Sequence, residues 1–381
     1  MRIILNNKVV HTRDGMRTEN NSLMIAFFCV AVLVSAHSAL AGENMWTTNG
    51  PHGSSINAVA ISPAYASDHT LYAGSARSGV FRSADGGKTW RPVNDGLFDY
   101  RVQSLAISPN YASDSTLFAG TWSGVIYRTV NGGKIWKQTI KGLNTGMESN
   151  HHAICAIAFS PAYKSDHTAF AGTWGGGIYK TTDGGDNWIP IDSGLGKTPA
   201  GDYPVVYSLA VSPGYAADKT VYGGTFGRGL IKSGDGGKSW SEANKGITSS
   251  QAQVVSISPD YVRDRTVYAG TFGGGVYKTS DGGANWIPVN RGLKVLAISA
   301  LAVSPDYARD KTVYAVSWAD GIYRSRDGGK SWSGLNEGII TTGDAGRTNL
   351  YIYCIVPAPD FSKDKTLFTG TYWSVYSFTE K

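Results

Sequence analysis

The octapeptide Ser83-Ala84-Asp85-Gly86-Gly87-Lys88-Thr89-Trp90 is the first of six copies of the phrase Ser/Thr-x-Asp-Gly-Gly-x-x-Trp. The third position is asparagine in one copy and aspartate in the others: Asp85, Asn131, Asp183, Asp235, Asp281 and Asp327. A short acceptor side chain in a tight turn takes backbone N–H bonds, and paired glycines permit positive φ. Because the phrase recurs at regular intervals, we assign it a structural role: a turn that the tryptophan anchors to a hydrophobic layer.

A second phrase, Ser-Pro-x-Tyr-x-x-Asp-x-Thr, sets the length of the repeat. Its proline recurs, in one case within a variant copy, at positions 63, 109, 161, 213, 259, 305 and 359, so the spacings are 46, 52, 52, 46, 46 and 54 residues. In the first unit we predict strands over 57–62, 70–75, 79–83 and 89–93. Seven units of this length, with four strands each, are typical of a β-propeller. The predicted fold class is therefore all-β: a seven-bladed β-propeller of four-stranded blades.

The seventh unit has residues for three strands but no copy of the Asp-Gly-Gly turn. At the other end of the chain, Met45-Trp46-Thr47-Thr48-Asn49-Gly50 matches the fourth-strand phrase Trp90-Arg91-Pro92-Val93-Asn94-Asp95-Gly96. Trp46 then completes a set of seven tryptophans, one for each blade. We therefore predict that an N-terminal strand completes the last blade and closes the ring, which removes exposed sheet edges.

These phrases resemble the Asp-box, or bacterial-neuraminidase-repeat, propellers over essentially all of 45–381. That superfamily includes sialidases, the sortilin ectodomain, xyloglucan-specific glucanases and photosystem II assembly-factor propellers. The resemblance implies a seven-bladed ring, as in the last two groups, rather than the six blades of sialidases. The Asp-box indicates the fold but gives almost no information about activity, because enzymes and non-enzymes share it.

The first 41 residues are predicted to be a secretory signal peptide. Leu23–Val34 is a twelve-residue apolar run that follows four basic residues and precedes Ser38-Ala39-Leu40-Ala41, which is typical of an exported chain cleaved after Ala41. The run is shorter than the roughly 20 residues that span a bilayer. We expect a secreted or periplasmic protein whose single domain is 42–381; both Met1 and Met16 stay open as start sites.

The amino-acid composition and charge of the chain limit the classes of partner that it is expected to bind. With 48 Gly, 11 Trp, 21 Tyr and 17% charged residues, the chain is turn-rich and globular. Removing residues 1–41 takes away four basic and two acidic residues, which leaves 31 − 27 = +4. The basic residues are dispersed through the repeats, so we predict no nucleic-acid partner. The chain is predicted to be a monomer, and only Cys155 and Cys354 remain after cleavage, so no disulfide framework is expected.

Binding is expected on the face that carries the second-to-third strand loops, because the repeats diverge there. The residue after the second strand is aromatic in six blades: Trp122, Trp174, Phe226, Phe272, Trp318 and Tyr372. Arg77, Arg228 and Asp320 would add charged contacts. Flat aromatic rings stack on sugars or bury side chains of a partner; the alternative is that these rings fill gaps between blades.

Three long inter-blade connections, at 142–153, 194–205 and 338–350, break the sevenfold symmetry. The first contains Glu148, His151 and His152. We include the histidines among candidate binding residues but predict no metal site, since adjacent histidines diverge and no third ligand is evident. A calcium role for the repeated Asp-x-Thr is also disfavoured, because one carboxylate per loop is far fewer than the usual six to eight oxygen ligands. No cofactor is expected.

The predicted function is a non-catalytic binding or assembly scaffold for a protein or glycan. The alternative is an inverting, xyloglucanase-like glycoside hydrolase, which needs two carboxylates about 6.5–9.5 Å apart. Its candidate residues are Glu148, Asp202, Asp320 and Asp344. Sialidase activity is less favoured, because the Phe/Tyr-Arg-Ile-Pro phrase typical of those enzymes is absent.

Deletion of residues 42–50 tests the predicted closure of the ring. We expect the truncated protein to melt at a much lower temperature than the full chain, because two sheet edges would become exposed. The point variant Thr47→Ala, in the same segment, should change the midpoint far less. A truncated protein that melts like the full chain would contradict a split blade.

Overall fold

The structure is a computed structural model that describes residues 44–143, 153–198, 201–318, 320–339 and 351–380. All of these residues belong to one compact unit. The predicted signal peptide lies outside the described residues. Within those ranges, every helix is too short to cross a membrane.

Seven four-stranded antiparallel sheets confirm the predicted propeller. Blade 1 comprises β2 (Ile56–Ile61), β3 (Leu71–Ser75), β4 (Gly79–Ser83) and β5 (Arg91–Pro92). Blade 2 comprises β6 (Val102–Ile107), β7 (Leu117–Thr121), β8 (Ile126–Thr129) and β9 (Lys137–Gln138). Blade 3 comprises β10 (Ile154–Phe159), β11 (Ala169–Thr173), β12 (Ile178–Thr181) and β13 (Ile189–Pro190). Blade 4 comprises β14 (Val206–Val211), β15 (Val221–Thr225), β16 (Gly229–Ser233) and β17 (Ser241–Glu242).

The remaining blades repeat this order. Blade 5 comprises β18 (Ala252–Ile257), β19 (Val267–Thr271), β20 (Gly275–Thr279) and β21 (Ile287–Pro288). Blade 6 comprises β22 (Ile298–Val303), β23 (Val313–Ser317), β24 (Gly321–Ser325) and β25 (Ser333–Gly334). Blade 7 comprises β26 (Ile352–Pro357), β27 (Thr366–Thr371), β28 (Val375–Thr379) and β1 (Trp46–Gly50). Each loop between first and second strands holds one helical turn: α1 (Tyr65–Asp68), α2 (Tyr111–Asp114), α3 (Tyr163–Asp166), α4 (Tyr215–Asp218), α5 (Tyr261–Asp264), α6 (Tyr307–Asp310) and α7 (Phe361–Asp364).

The N-terminal strand completes blade 7, as predicted. β1 pairs antiparallel with β28, with Trp46 opposite Phe378 and Thr48 opposite Tyr376. Their side chains continue the hydrophobic layer, since the rings of Trp46 and Phe378 lie 5.2 Å apart. The last blade therefore combines the two ends of the described chain in one sheet.

The Asp-Gly-Gly turn is held by its own side chains. In blade 4 the Asp235 carboxylate accepts the backbone N–H of Ser239 at 3.0 Å and its hydroxyl at 2.5 Å. The Ser233 hydroxyl donates to the same carboxylate and accepts the N–H of Gly237. The bonds from Ser239 and Ser233 lower the pKa of Asp235 to about 2. The carboxylate therefore organises the turn.

In five of the six such turns, the tryptophan reaches back and bonds to the preceding blade. Trp136 donates its backbone N–H to Asp95 at 2.8 Å and its indole N–H to Val93 at 2.8 Å, both in blade 1. Gly96 lies against this tryptophan: a Cβ there would stand 2.1 Å from the Trp136 carbonyl oxygen, and its φ is +85°. Only glycine fits that contact. Trp46 repeats the arrangement against blade 6, where Gly338 takes the place of Gly96.

A second inter-blade contact joins aromatic side chains near the Asp-box turns. Tyr72 and Tyr111 share a hydrogen bond of 2.6 Å, and Tyr72 also donates to the Gly132 carbonyl at 2.8 Å. Tyr314 occupies the position of Tyr72 in blade 6, but its buried hydroxyl has no hydrogen-bond partner among the residues that the structure describes. Phe361 replaces the partner tyrosine, and blade 7 has no Asp-Gly-Gly turn to supply the carbonyl. The unsatisfied hydroxyl follows from both differences.

The variant Phe361→Tyr should stabilise the protein by about 1 kcal/mol, the net value of a typical hydrogen bond. The Tyr314 and Phe361 rings lie 6.0 Å apart at 75°, close to the 5.9 Å and 73° of Tyr72 and Tyr111, so the new hydroxyl would meet its partner. Thermal unfolding measures the gain. The matched variant Tyr111→Phe should lower the midpoint, and equal midpoints for wild type and Phe361→Tyr would contradict the assignment.

Acidification should destabilise the protein as the Asp-box carboxylates protonate. The Asp235 pKa is about 2 in the folded protein and about 3.9 in an unfolded chain. Its contribution is therefore complete above about pH 4 and is lost as the pH falls towards about 2. Thermal midpoints measured across that range should fall less steeply for Asp235→Asn than for wild type, because asparagine already serves this turn at Asn131. Identical slopes would refute the contribution of Asp235.

Candidate functional site

The first strands of the seven blades surround a central channel with a volume of about 540 Å³. Each first strand has a β-bulge at its second residue; in blade 1, Ile56 pairs with Ser75 and Ala58 with Gly74, which leaves Asn57 unpaired. A bulge re-aims the side chain of its extra residue. The bulged residues all line the channel: Asn57, Gln103, Cys155, Tyr207, Gln253, Ser299 and Tyr353. All seven are uncharged, and no Asp, Glu, Lys or Arg is among the described residues that line it.

The predicted aromatic residues lie at the mouth of this channel. Each follows the second strand and donates its backbone N–H to the residue preceding the first strand, as Trp122 does to Arg101 at 2.9 Å and Trp318 to Ala297 at 2.7 Å. Five of the side chains stay 43–51% exposed: Trp122, Phe226, Phe272, Trp318 and Tyr372. Trp174 is half-buried. The exposed fractions favour a contact surface over gap filling between blades.

Ring contacts join these residues into two arcs. The first arc links Trp122 to Trp174 at 6.3 Å, Trp174 to Tyr207 at 6.0 Å and Tyr207 to Phe226 at 6.4 Å. We name these four residues the first arc.

The second arc consists of Trp318, Tyr351, Tyr372 and Trp373. Trp318 lies 5.7 Å from Tyr351, Tyr351 lies 6.1 Å from Tyr372, and Tyr372 lies 5.0 Å from Trp373. The sequence prediction missed Tyr351 and Trp373, and Tyr207 in the first arc. Tyr207 occupies the bulge position of its first strand, and Tyr351 precedes the first strand of blade 7. Neither position is aromatic in most of the repeats, so an alignment of the repeats would not have marked them.

Phe272 lies between the two arcs, and within the described chain no ring contact joins it to either. A second cavity of about 190 Å³ opens beside it, lined by Tyr207, Phe226, Gln251, Gln253, Phe272, Ala297, Ile298, Ser299 and Trp318. Part of its polar lining already has a neighbour: Gln253 lies beside the Tyr207 hydroxyl, and Ser299 donates to the backbone carbonyls of Val316 and Ile352 at 3.5 and 3.4 Å.

Of the charged candidates, only Arg77 has an exposed side chain at the loop face without an ion-pair partner among the described residues. Arg228 pairs with Glu242 of the outermost strand of blade 4 at 2.9 Å, so its charge is directed away from the channel. Asp320 accepts a hydrogen bond from Tyr323, and burial, with that bond, raises the pKa of Tyr323 to about 12.

Within the described residues, no two of the four carboxylates proposed for the hydrolase are seen to face each other as a catalytic pair. Asp202 lies on the connection between blades 3 and 4, where its carbonyl accepts the N–H of Thr198 at 2.7 Å. Asp320 lies in the second-to-third strand loop of blade 6. Glu148 and Asp344 lie outside the described residues.

The histidines His151 and His152 also lie outside them. Across the described ranges, no group of three or more His, Cys, Asp or Glu side chains is arranged to hold a metal ion.

Two carboxyls that sequence reasoning passed over have shifted pKa values with structural causes. Asp99 sits beside the first arc; although burial opposes its ionisation, bonds from Arg101 and Ser123 lower its pKa to about 2. Burial raises the pKa of Asp192, which accepts the N–H of Ile178 at 2.7 Å. Asparagine fills this position in other blades, as Asn94 does for Val80, so Asp192 is part of the blade architecture.

Cys155 and Cys354 are both free, as predicted. Both side chains are partly exposed. The bulge directs Cys155 to the channel, and Cys354 also lines the channel. Burial still raises the pKa of Cys155 to about 12 and of Cys354 to about 11, so both thiols are protonated at neutral pH.

No protein-family model and no curated protein matches this sequence. Solved structures do match its fold. The GH74 xyloglucanase from Xanthomonas campestris aligns with a TM-score of 0.63 and 16% identity over 87% of this chain and 53% of its own. YCF48 bound to D1 peptide aligns with a TM-score of 0.60 and 18% identity over 88% of this chain and 97% of its own.

A third neighbour is the extracellular domain of the one-component system BT4673 from B. thetaiotaomicron. It aligns with a TM-score of 0.61 and 15% identity over 88% of this chain and 40% of its own. This chain spans about half the length of the xyloglucanases that it matches. At these identities the similarity establishes only the seven-bladed β-propeller fold. Enzymes and a peptide-bound protein share that fold.

Proposed function

We propose that this protein is an exported, non-catalytic propeller that binds a protein or glycan partner through the aromatic face of its channel. The observation that carries the proposal is the concentration of half-exposed aromatic side chains on one face. Five of the rings there keep 43–51% of their surface exposed. Large apolar groups exposed together on one face are a hallmark of interaction sites.

The chemistry of the channel supports binding over hydrolysis. A glycosidase places two carboxyl groups on either side of the scissile bond, whereas no described residue lining the channel carries a carboxylate. Asp320 is already engaged by Tyr323. The best-placed side chains for a partner are Trp122, Trp174, Phe226, Phe272, Trp318 and Tyr372, with Arg77 at the gap that blade 1 leaves in the aromatic set.

The structural neighbours are compatible with this proposal and also with the alternative, a glycoside hydrolase. One neighbour binds a peptide, which supports a protein partner. The xyloglucanases favour a glycan-directed enzyme, the second candidate, with Glu148, Asp202, Asp320 and Asp344 as its carboxylates. We place the proposed binding domain at 42–381, after a signal peptide at 1–41, in a secreted or periplasmic protein.

The experiment combines a glycan array and peptide arrays with hydrolysis assays on xyloglucan and sialosides. We expect binding to at least one array without release of reducing sugar. For the strongest partner found, Trp318→Ala and Trp122→Ala should each weaken binding by about 30-fold, the scale of a hot-spot tryptophan.

The matched control is Phe98→Ala. Phe98 is 82% exposed but belongs to neither arc, so its variant should bind like wild type. Thermal midpoints of the tryptophan variants should stay within about 2 °C of wild type. Unchanged binding together with a large loss of stability would assign the rings to packing, and hydrolysis of xyloglucan would establish the enzyme alternative.

A further inference from the structure

The cavity beside Phe272 is a small, built pocket within the proposed binding face. Its volume of about 190 Å³ is below the roughly 300–1,000 Å³ of pockets that take drug-sized ligands. It therefore fits one compact chemical group. Phe226 and Trp318 both line the pocket, and they belong to different arcs.

Charge restricts the class of group that this pocket accepts. None of its lining residues is charged, and the nearest cation in sequence, Arg228, is paired with Glu242. A carboxylate, a phosphate or a primary ammonium would lose its hydration there without gaining a counter-ion, which is costly. The pocket therefore selects against strongly hydrated ions.

Hydrogen bonding disfavours a sugar ring in the same place. Gln253 lies beside the Tyr207 hydroxyl, and Ser299 donates to the backbone carbonyls of Val316 and Ile352. A sugar would bring several hydroxyls to a lining whose other members are largely apolar, and each unsatisfied buried hydroxyl costs about 1–3 kcal/mol. A group that needs no hydrogen bond fits better.

Four aromatic side chains line the pocket: Tyr207, Phe226, Phe272 and Trp318. The faces of aromatic rings carry negative charge and attract a cation within about 6 Å. The rings of Tyr207 and Phe226 contact each other edge to face at 6.4 Å and 87°, and both line the pocket. Within the part of the chain that the structure describes, no other ring contacts Phe272, and its exposed side chain is available to a ligand.

From these observations we propose that the pocket is an aromatic cage for a quaternary ammonium group. Such a group has no N–H to satisfy, its methyl groups match apolar walls, and its diffuse charge is attracted by the ring faces. The proposal rests on the proposed function, because it gives one subsite of that face a ligand class. The group could belong to free choline or to the headgroup of phosphatidylcholine.

Titration of the full-length mature protein with choline chloride, followed by tryptophan fluorescence and calorimetry, tests the cage. The decisive comparison is 3,3-dimethylbutan-1-ol, which has the same shape but no charge. Choline should bind about five- to thirty-fold more tightly than this alcohol, the range expected for a cation–π contribution. Vesicles of phosphatidylcholine, compared with vesicles of phosphatidylglycerol, identify the lipid as the source if only the former retain the protein.

Trp318→Leu and Phe272→Leu should each weaken choline binding at least about fivefold, whereas Phe98→Leu should not change it. Circular dichroism and thermal midpoints confirm that each variant is folded. Equal affinity for choline and the neutral alcohol, or no binding of choline at millimolar concentrations, would overturn the cage. Neither result would affect array binding that depends on Trp122, so failure of the cage is distinguishable from failure of the proposed function.

Discussion

The ring depends on one kind of contact between neighbouring blades, in which a tryptophan hydrogen-bonds to the backbone of the preceding blade. Trp136 bonds to Val93 and Asp95 of the preceding blade, and a glycine with positive φ lets the two backbones approach. Each blade alone exposes its hydrophobic faces, so stability comes from its neighbours, as in other repeat proteins. This contact recurs at six of the seven boundaries between blades, and Trp46 supplies one of the six from the N-terminal strand.

The composite blade departs locally from the pattern that the other blades share. In blade 1 the Ser62 hydroxyl donates to Asp68 at 2.6 Å, but Ala358 takes the serine position in blade 7. The Asp364 Oδ2 atom therefore has no hydrogen-bond partner within the described ranges, and burial raises the Asp364 pKa. At the next boundary, the Trp90 indole donates to Gly87 of its own turn at 3.2 Å instead of reaching back. The repeat contacts are incomplete where the chain's two ends meet.

The residues that line the channel are under a different structural constraint from the residues that build the blades. The β-bulge of each first strand directs one side chain to the channel without disturbing the pairs on either side. That position holds asparagine, glutamine, cysteine, tyrosine or serine in different blades, while the Asp-box turns at the opposite end of the sheets stay nearly uniform. The residues that build the fold are therefore separated in space from those of the proposed binding face. Solved structures of an enzyme and of a peptide-bound protein share this fold, so the fold by itself does not determine the function.

The blade count, the four-stranded unit and closure by Trp46 were predictable from the sequence, because they depend on short phrases whose members contact one another within a turn or a strand pair. The aromatic column was predictable for the same reason. The two arcs, the isolation of Phe272 and the pairing of Arg228 with Glu242 were not, since they depend on how blades approach across the channel and on which way a loop side chain turns. Tyr207 illustrates the limit: an unpaired bulge residue looks like any strand residue in sequence, and only the strand register directs it to the channel. Local periodicity thus determined the ring, whereas the composition of its aromatic face was decided by contacts between residues far apart in the chain.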